Sequence, residues 1–218
     1  MKNRIGIGSL FIIAMLWGQY VHALNRLALI IGNSEYEEIN PLANPANDAE
    51  DVAAKLQALG FELYGGKVHH NLDERALLRQ TAGFAEAAEG LEIAFLYFAG
   101  HGMQFNGDPH LLPVDIPDDR LSIVRREAVG LNGLLATLAG RAELTIAVFD
   151  ACREIPDYME KIKRAVRGGS DADWRGLSRP KVQADSTLVA YLGGSGELVA
   201  DGTGRNSTLG FRVFQDVR

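Results

Sequence analysis

The run Leu91-Glu92-Ile93-Ala94-Phe95-Leu96-Tyr97-Phe98 constrains this chain more than any other stretch. It is β-branched and aromatic, and beyond Glu92 it is apolar at successive positions, so a strand built from it has two greasy faces. Such a strand is stable only when cover lies on both sides of its sheet. Three further runs are of the same kind: RLALIIG (Arg26 to Gly32), TIAVFDAC (ending at Cys152) and STLVAYLGG. Glu-free alternation is missing from them, which sets them apart from half-solvated strands.

Helical spacing fills the intervals. Ala49, Val52, Ala53, Leu56 and Leu59 repeat at three and four residues, with Asn47 or Asp48 near the cap and Gly60 as the stop. A second helix is expected from about Asp73 to Gly90, and a short one over LNGLLATLAG, while FELY reads as a further strand. We expect the Leu91 strand to end at Gly100 and the paired His69-His70 to lie in a loop. Strands alternating with helices define an α/β domain, with a mostly parallel central sheet and helices on both faces. The stretch from about Asp157 to Asp185 has little periodicity and reads as a long surface loop.

The first 23 residues stand outside that pattern. Lys2 and Arg4 precede the apolar IGIGSLFIIAMLW, and small residues follow at Val21 and Ala23. A basic start, a short apolar centre and a V-x-A end make a secretory signal peptide, residues 1–23. The apolar run falls short of the ~20 residues that span a bilayer, so contact with a membrane is expected only through an uncleaved signal. The expected location is therefore exported, periplasmic or secreted. Lys2 and Arg4 are the only charges in that segment, so its removal takes the net charge from −6 to −8. An acidic balance argues against a nucleic-acid partner. Cys152 is the only cysteine among the 218 residues. No internal disulfide can form, and the thiol is either inert in the core or exposed and reactive.

Two of the apolar strands run into reactive side chains. One leads to Ala99-Gly100-His101-Gly102 and another to Ala151-Cys152-Arg153. Ligands of open α/β sheets bind beyond the carboxyl ends of the strands. If the two strands are neighbours, an imidazole and a thiol meet at one edge of the sheet, and an imidazole that takes the thiol's proton makes it a nucleophile. The glycines beside His101 permit close approach of the substrate backbone and leave an N–H for an oxyanion.

The blocks LALIIGNSEY, NPANDAEDVAAKLQALGF, YFAGHGMQ with HLLPVD, and FDACRE occur in that order. Together they resemble the large-subunit region of caspases, in particular the bacterial metacaspase (orthocaspase) branch, over roughly Arg26 to Arg205. Cys152 lies 51 residues after His101, the spacing of the caspase signature, and Ala-Cys-Arg fits it. Asp150 replaces the signature's Gln, as in metacaspases, and Glu154 departs from it. The resemblance implies a three-layer caspase-like fold over residues 24–218 and a cysteine endopeptidase with a Cys152–His101 dyad. It further implies an oxyanion hole from the backbone N–H groups of Gly102 and Cys152. Asp48 and Asp150 would line a pocket for Arg or Lys before the cleaved bond, with a peptide or protein as substrate.

Other features carry less. Asp48 has a simpler use near a helix start, and Asp150 can merely bond its own loop. Asp108, Asp115, Asp118 and Asp119 lack the spacing of a calcium loop, so no cofactor is required, and a solvated acidic face is favoured over calcium. KIKRAVR reads as a solvated loop, although an enzyme preferring basic residues would be able to cut it. After GRNS (Gly204 to Ser207) only eleven residues remain, so the C-terminal end reads as shortened, or as covered by a second copy in a dimer. The rival readings are an inactive caspase homologue that binds a peptide or partner, and a small-molecule acyl hydrolase using the same thiol.

Overall fold

The computed structural model describes residues 25–105, 107–117, 121–152, 187–192 and 198–201, the last two segments and Cys152 by their backbone course. Residues 1–23, expected to be a signal peptide, Asp118 and Asp119, the KIKRAVR stretch, and the GRNS block with the residues after it lie outside the described residues.

Strand β1 (Arg26–Gly32) is followed by helix α1 (Pro45–Ala58), strand β2 (Glu62–Leu63), a 3₁₀ turn at Tyr64–Gly66, strand β3 (His69–His70) and helix α2 (Glu74–Ala87). Then come β4 (Ile93–Phe105), β5 (Asp108–Leu111), α3 (Leu121–Glu127), β6 (Val129–Gly130), α4 (Leu131–Leu138), β7 (Leu144–Cys152), β8 (Thr187–Leu192) and β9 (Leu198–Asp201). The sheet order is β2-β1-β4-β7-β8-β9. Every pairing along it is parallel up to β8, and β9 runs antiparallel. β3 extends the flank of β1, pairing parallel with its last two residues, Ile31 and Gly32.

Side chains alternate across this sheet and find cover on each side, as the two-faced apolar strands require. Ala28 and Ile30 of β1, Phe95, Tyr97 and Ala99 of β4, and Val148 of β7 pack with Ala49, Val52, Ala53 and Leu56 of α1. Leu29 and Ile31, Leu96 and Phe98, and Ala147 and Phe149 pack on the other face, against Leu77, Phe84 and Ala85 of α2 and Leu131, Leu134, Leu135 and Leu138 of α4. Phe84, Phe98 and Phe149 are fully buried, and each such side chain contributes about 1.5–3 kcal/mol relative to exposure. A third cluster, including Ile39, Met103, Phe105, Leu112, Val114 and Val124, lies beyond the carboxyl end of the sheet.

The observed elements depart from the sequence reading at several points. α1 begins at Pro45, not beside Asn47, because proline suits the first helical position and its missing N–H needs no acceptor there. Asp48 thus sits in the first turn and caps nothing. The α1 start is pressed against β1: a Cβ on Gly32 would stand 2.6 Å from the Pro45 carbonyl oxygen and 2.9 Å from the Ala49 Cβ. α2 opens as expected, with the Asp73 carboxylate accepting the Ala76 N–H at 2.6 Å.

β4 does not stop at Gly100. It continues to Phe105, paired with β7 as far as His101 and then with β5 from Gly102 onward. His69 and His70 form a short strand, not a loop. They point apart: His69 is buried with Nε2 bonded to the Tyr64 carbonyl at 3.0 Å, and His70 meets Glu50 at 2.8 Å. β5, β6, α3 and β9 had no counterpart in the sequence reading.

Candidate active site

The register of β4 and β7 brings the two predicted reactive positions together. His101 and Cys152 are direct partners, at the last step of the parallel ladder. Neighbouring strands lie about 4.8 Å apart, so the two backbone positions at such a step are immediate neighbours. The two strands come together because both are largely apolar over their paired length and each needs a neighbour on its hydrogen-bonding edge. The two positions lie where these strands outlast β1, whose last residue, Gly32, pairs with Ala99.

Where β1 stops, the loop 33–44 takes over its neighbours. The Asn33 N–H still donates to the Ala99 carbonyl at 2.9 Å. Its fully buried side chain accepts from the Leu72 N–H at 2.9 Å and donates to the Leu72 and Leu112 carbonyls at 3.2 and 3.4 Å. The Ser34 hydroxyl accepts the Ala46 N–H at 3.0 Å, and the Ser34 carbonyl accepts the Leu42 N–H at 2.9 Å. These bonds close the loop on itself at the start of α1. From the far side the Asn71 side chain accepts the Ser34 and Glu35 N–H groups.

That loop holds His101, which is 5% exposed. Its Nε2 lies 2.9 Å from the Asn40 carbonyl oxygen, which can only accept, so Nε2 carries the proton. Nδ1 is then the lone-pair nitrogen, buried and without a hydrogen-bond partner among the described residues. Burial holds the imidazole below the ordinary histidine value, and the Asn40 carbonyl opposes this in part. A neutral imidazole with a free Nδ1 lone pair is a proton acceptor. Tyr36 packs on the same ring, centroids 4.6 Å apart. Neither Tyr36 nor Asn40 was singled out from sequence. Asn40 acts through its backbone, so no side-chain pattern reports it, and the Tyr within GNSEY is an ordinary loop residue until its partner is known.

Asp150 lies two residues before Cys152 on β7, in phase with Val148 and hence on the α1 side of the sheet. The phenol of Tyr97 donates to Asp150 Oδ2 at 3.4 Å. Burial raises the Asp150 carboxyl above its ordinary range, Asp48 raises it further, and the Tyr97 bond works against both. Asp48 is raised as well, by its own burial and then by Asp51. Burial, Asp150 and Asp48 together hold the Tyr97 phenol protonated. The two carboxylates expected to line a pocket therefore belong to one electrostatic neighbourhood, beside the carboxyl end of β7. Tyr97 joins them as a residue the sequence reading missed. Gly102 follows His101 on β4 and pairs with Leu111.

The acidic residues after β4 have separate duties. Asp115 Oδ1 accepts the Glu74 N–H at 3.0 Å at the start of α2, and Asp108 Oδ1 accepts from Asn132 Nδ2 at 3.3 Å. Among the described residues no three His, Cys, Asp or Glu side chains converge as metal ligands. No described helix is long and apolar enough to cross a membrane.

Comparison with known proteins bears on the family and the fold. Over 147 residues, 64% of the chain, it is 26% identical to mucosa-associated lymphoid tissue lymphoma translocation protein 1 of Homo sapiens. The match spans 16% of that protein, so the chain corresponds to about a sixth of this relative. It is 32% identical to caspase-1 of Mus musculus over 81 residues, which are 36% of the chain and 19% of caspase-1. Among solved structures, pro-sf-caspase-1 superimposes with a TM-score of 0.51 at 14% identity, covering 77% of this chain and 61% of that one. A protein from Geobacter sulfurreducens does so with 0.50 at 17% identity, covering 83% and 77%. At such identities these two likenesses speak for the fold. The caspase domain model matches residues 25–213, nearly everything after the N-terminal segment. The chain therefore belongs to the caspase domain family of cysteine peptidases.

Proposed function

We propose that the domain is a cysteine endopeptidase that cleaves after Arg or Lys, with Cys152 as nucleophile and His101 as its proton acceptor and donor. The observation that supports this most is the ladder step pairing His101 with Cys152, beside an imidazole whose Nδ1 has no partner among the described residues.

In this reading Nδ1 takes the thiol proton as the Cys152 sulfur attacks the scissile carbonyl carbon. The backbone N–H groups of Gly102 and Cys152 receive the negative charge that develops on the carbonyl oxygen. As the carbon–nitrogen bond breaks, Nδ1–H passes its proton to the leaving amine, and a thioester remains on Cys152. Water then attacks the thioester, giving its proton to Nδ1, and the thiol is restored as the carboxylate product leaves. The Asn40 carbonyl keeps the proton on Nε2 throughout, so the other nitrogen stays available. Asp48 and Asp150 hold the basic side chain before the cleaved bond. Export through residues 1–23 is part of the proposal, as is a protein or peptide substrate outside the cytoplasm.

The test uses the protein lacking residues 1–23 and reporter peptides with Arg, Lys, Asp or a neutral residue before the cleavable bond, with ester substrates alongside. Cleavage after Arg and Lys is expected, falling by a factor on the order of 10³ or more in Cys152→Ala and in His101→Ala. Equal cleavage by the Cys152→Ala variant would refute the dyad. Peptide binding without turnover in the unmodified protein would favour a binding homologue, and turnover of esters alone an acyl hydrolase.

A further inference from the structure

The ladder that presents His101 has lost a neighbour at the point where it matters. β1 pairs with β4 only as far as Ala99, and the Asn33 N–H makes the last bond from that side, to the Ala99 carbonyl. The next β4 group facing the departed strand is the His101 N–H, a buried donor that needs an acceptor. The Tyr36 hydroxyl supplies it at 2.7 Å. The same hydroxyl donates its own hydrogen to the Leu112 carbonyl at 3.3 Å, and the Leu112 N–H returns a bond to the His101 carbonyl at 3.0 Å. A ring of three residues thus fixes His101 at both its backbone N–H and its backbone carbonyl, while the Tyr36 ring lies against the imidazole.

Gly100 belongs to the same arrangement. A Cβ there would stand 2.7 Å from the Tyr36 hydroxyl and 2.9 Å from the Phe98 ring. The missing side chain makes room for the phenol on the protein's own side. This is a different use of the glycine from the close substrate approach expected from sequence.

We infer that Tyr36 is a positioning residue for His101: its hydroxyl stands in for the missing strand neighbour and holds the imidazole opposite Cys152. The inference rests on the dyad proposed above. It adds a side chain whose loss should damage turnover while leaving the pocket carboxylates untouched.

The experiment compares unmodified protein, Tyr36→Phe and His101→Ala on an Arg reporter. Tyr36→Phe keeps the ring and removes one acceptor and one donor. It should lower kcat about tenfold with KM within about twofold, since a hydrogen bond of this kind is worth roughly one order of magnitude. It should also shift the pH dependence of Cys152 alkylation by iodoacetamide towards that of His101→Ala, which a purely structural residue would not do. A kcat within twofold of the unmodified protein, or an unshifted alkylation profile, overturns the inference. A fully active His101→Ala removes the dyad itself and the inference with it, so the two failures are distinguishable. If Tyr36→Phe does not fold, Gly100→Ala carries the test by pressing a methyl on the hydroxyl while keeping it. The same kcat loss is expected, and full activity in that variant would equally overturn the positioning role.

Discussion

Asp150→Asn separates the electrostatics of the proposed pocket from its shape. The carboxylate is half-buried, accepts from Tyr97, and shares its surroundings with Asp48. An amide of the same outline keeps an oxygen for the Tyr97 phenol and removes one negative charge. Truncating one member of a desolvated, hydrogen-bonded charge pair costs about 2–5 kcal/mol. Asp48 remains and both residues are only partly buried, so the lower end applies, about 2 kcal/mol, or roughly 30-fold in kcat/KM. The assay is a matched pair of reporters with Arg or its neutral isostere citrulline before the cleaved bond. The Arg to citrulline ratio should fall about 30-fold, with the citrulline rate held within about threefold. Stability should move the other way. The Asp150 carboxyl is raised on folding, so between the unfolded and folded values the native state holds the extra proton, and stability falls as pH rises through that window. The penalty persists at pH 7, and Asp150→Asn should therefore melt higher there than the unmodified protein. Equal losses on both reporters, or an unchanged ratio, would show that the carboxylate does not read the cation.

Tyr97→Phe should lower the Arg rate by about fivefold and move the acid limb of kcat/KM to higher pH, because the phenol bond is what restrains the rise at Asp150; an unmoved limb counts against it. Asn33→Ala should cost about 1–3 kcal/mol by stranding the Leu72 N–H, while the Leu72 and Leu112 carbonyls keep the Val114 N–H and the Tyr36 hydroxyl as donors; the loss is read as a lower midpoint in urea unfolding. Gly32→Ala should be comparably destabilising, since the Pro45 carbonyl that its methyl meets is backbone and cannot step aside; a normal thermal melt would contradict the packing. His69, His101 and His110 are all held below the ordinary value of 6.5 by burial. As pH falls below that value the unfolded chain takes up protons first, so stability should drop on acidification, and calorimetry of His101→Gln should show a shallower slope.

Much of this architecture can be read from residue order alone. Uninterrupted apolar runs such as Ile93 to Phe98 dictate a covered sheet, and the spacing of Ala49, Val52, Ala53 and Leu56 dictates which stripe does the covering. The pairing of His101 with Cys152 follows once the two strands are neighbours. What resisted reading was non-local. Gly100 suggested a strand end because glycine weakens strands in general, yet β5 and β7 carry pairing across it and Tyr36 occupies the space it vacates. Asn40 orients the imidazole through a peptide carbonyl, which every residue possesses. Tyr97 looked like one more aromatic in a buried run, and only the register of β4 against β7 reveals the carboxylate its phenol meets.

The outer flank of β1 has a bearing on how this protein survives at high concentration. A seven-residue apolar strand with one open side is a template on which stray chains can grow into fibrils. Here that side is occupied by two dipeptide strands with a 3₁₀ turn between them, and each is too brief to offer a continuous row of donors and acceptors to a newcomer. The flank is thereby capped in a broken rhythm. Substitutions that lengthened β2 into β3, by straightening Gly65 and Gly66, would create an aggregation seam on a molecule that now lacks one there.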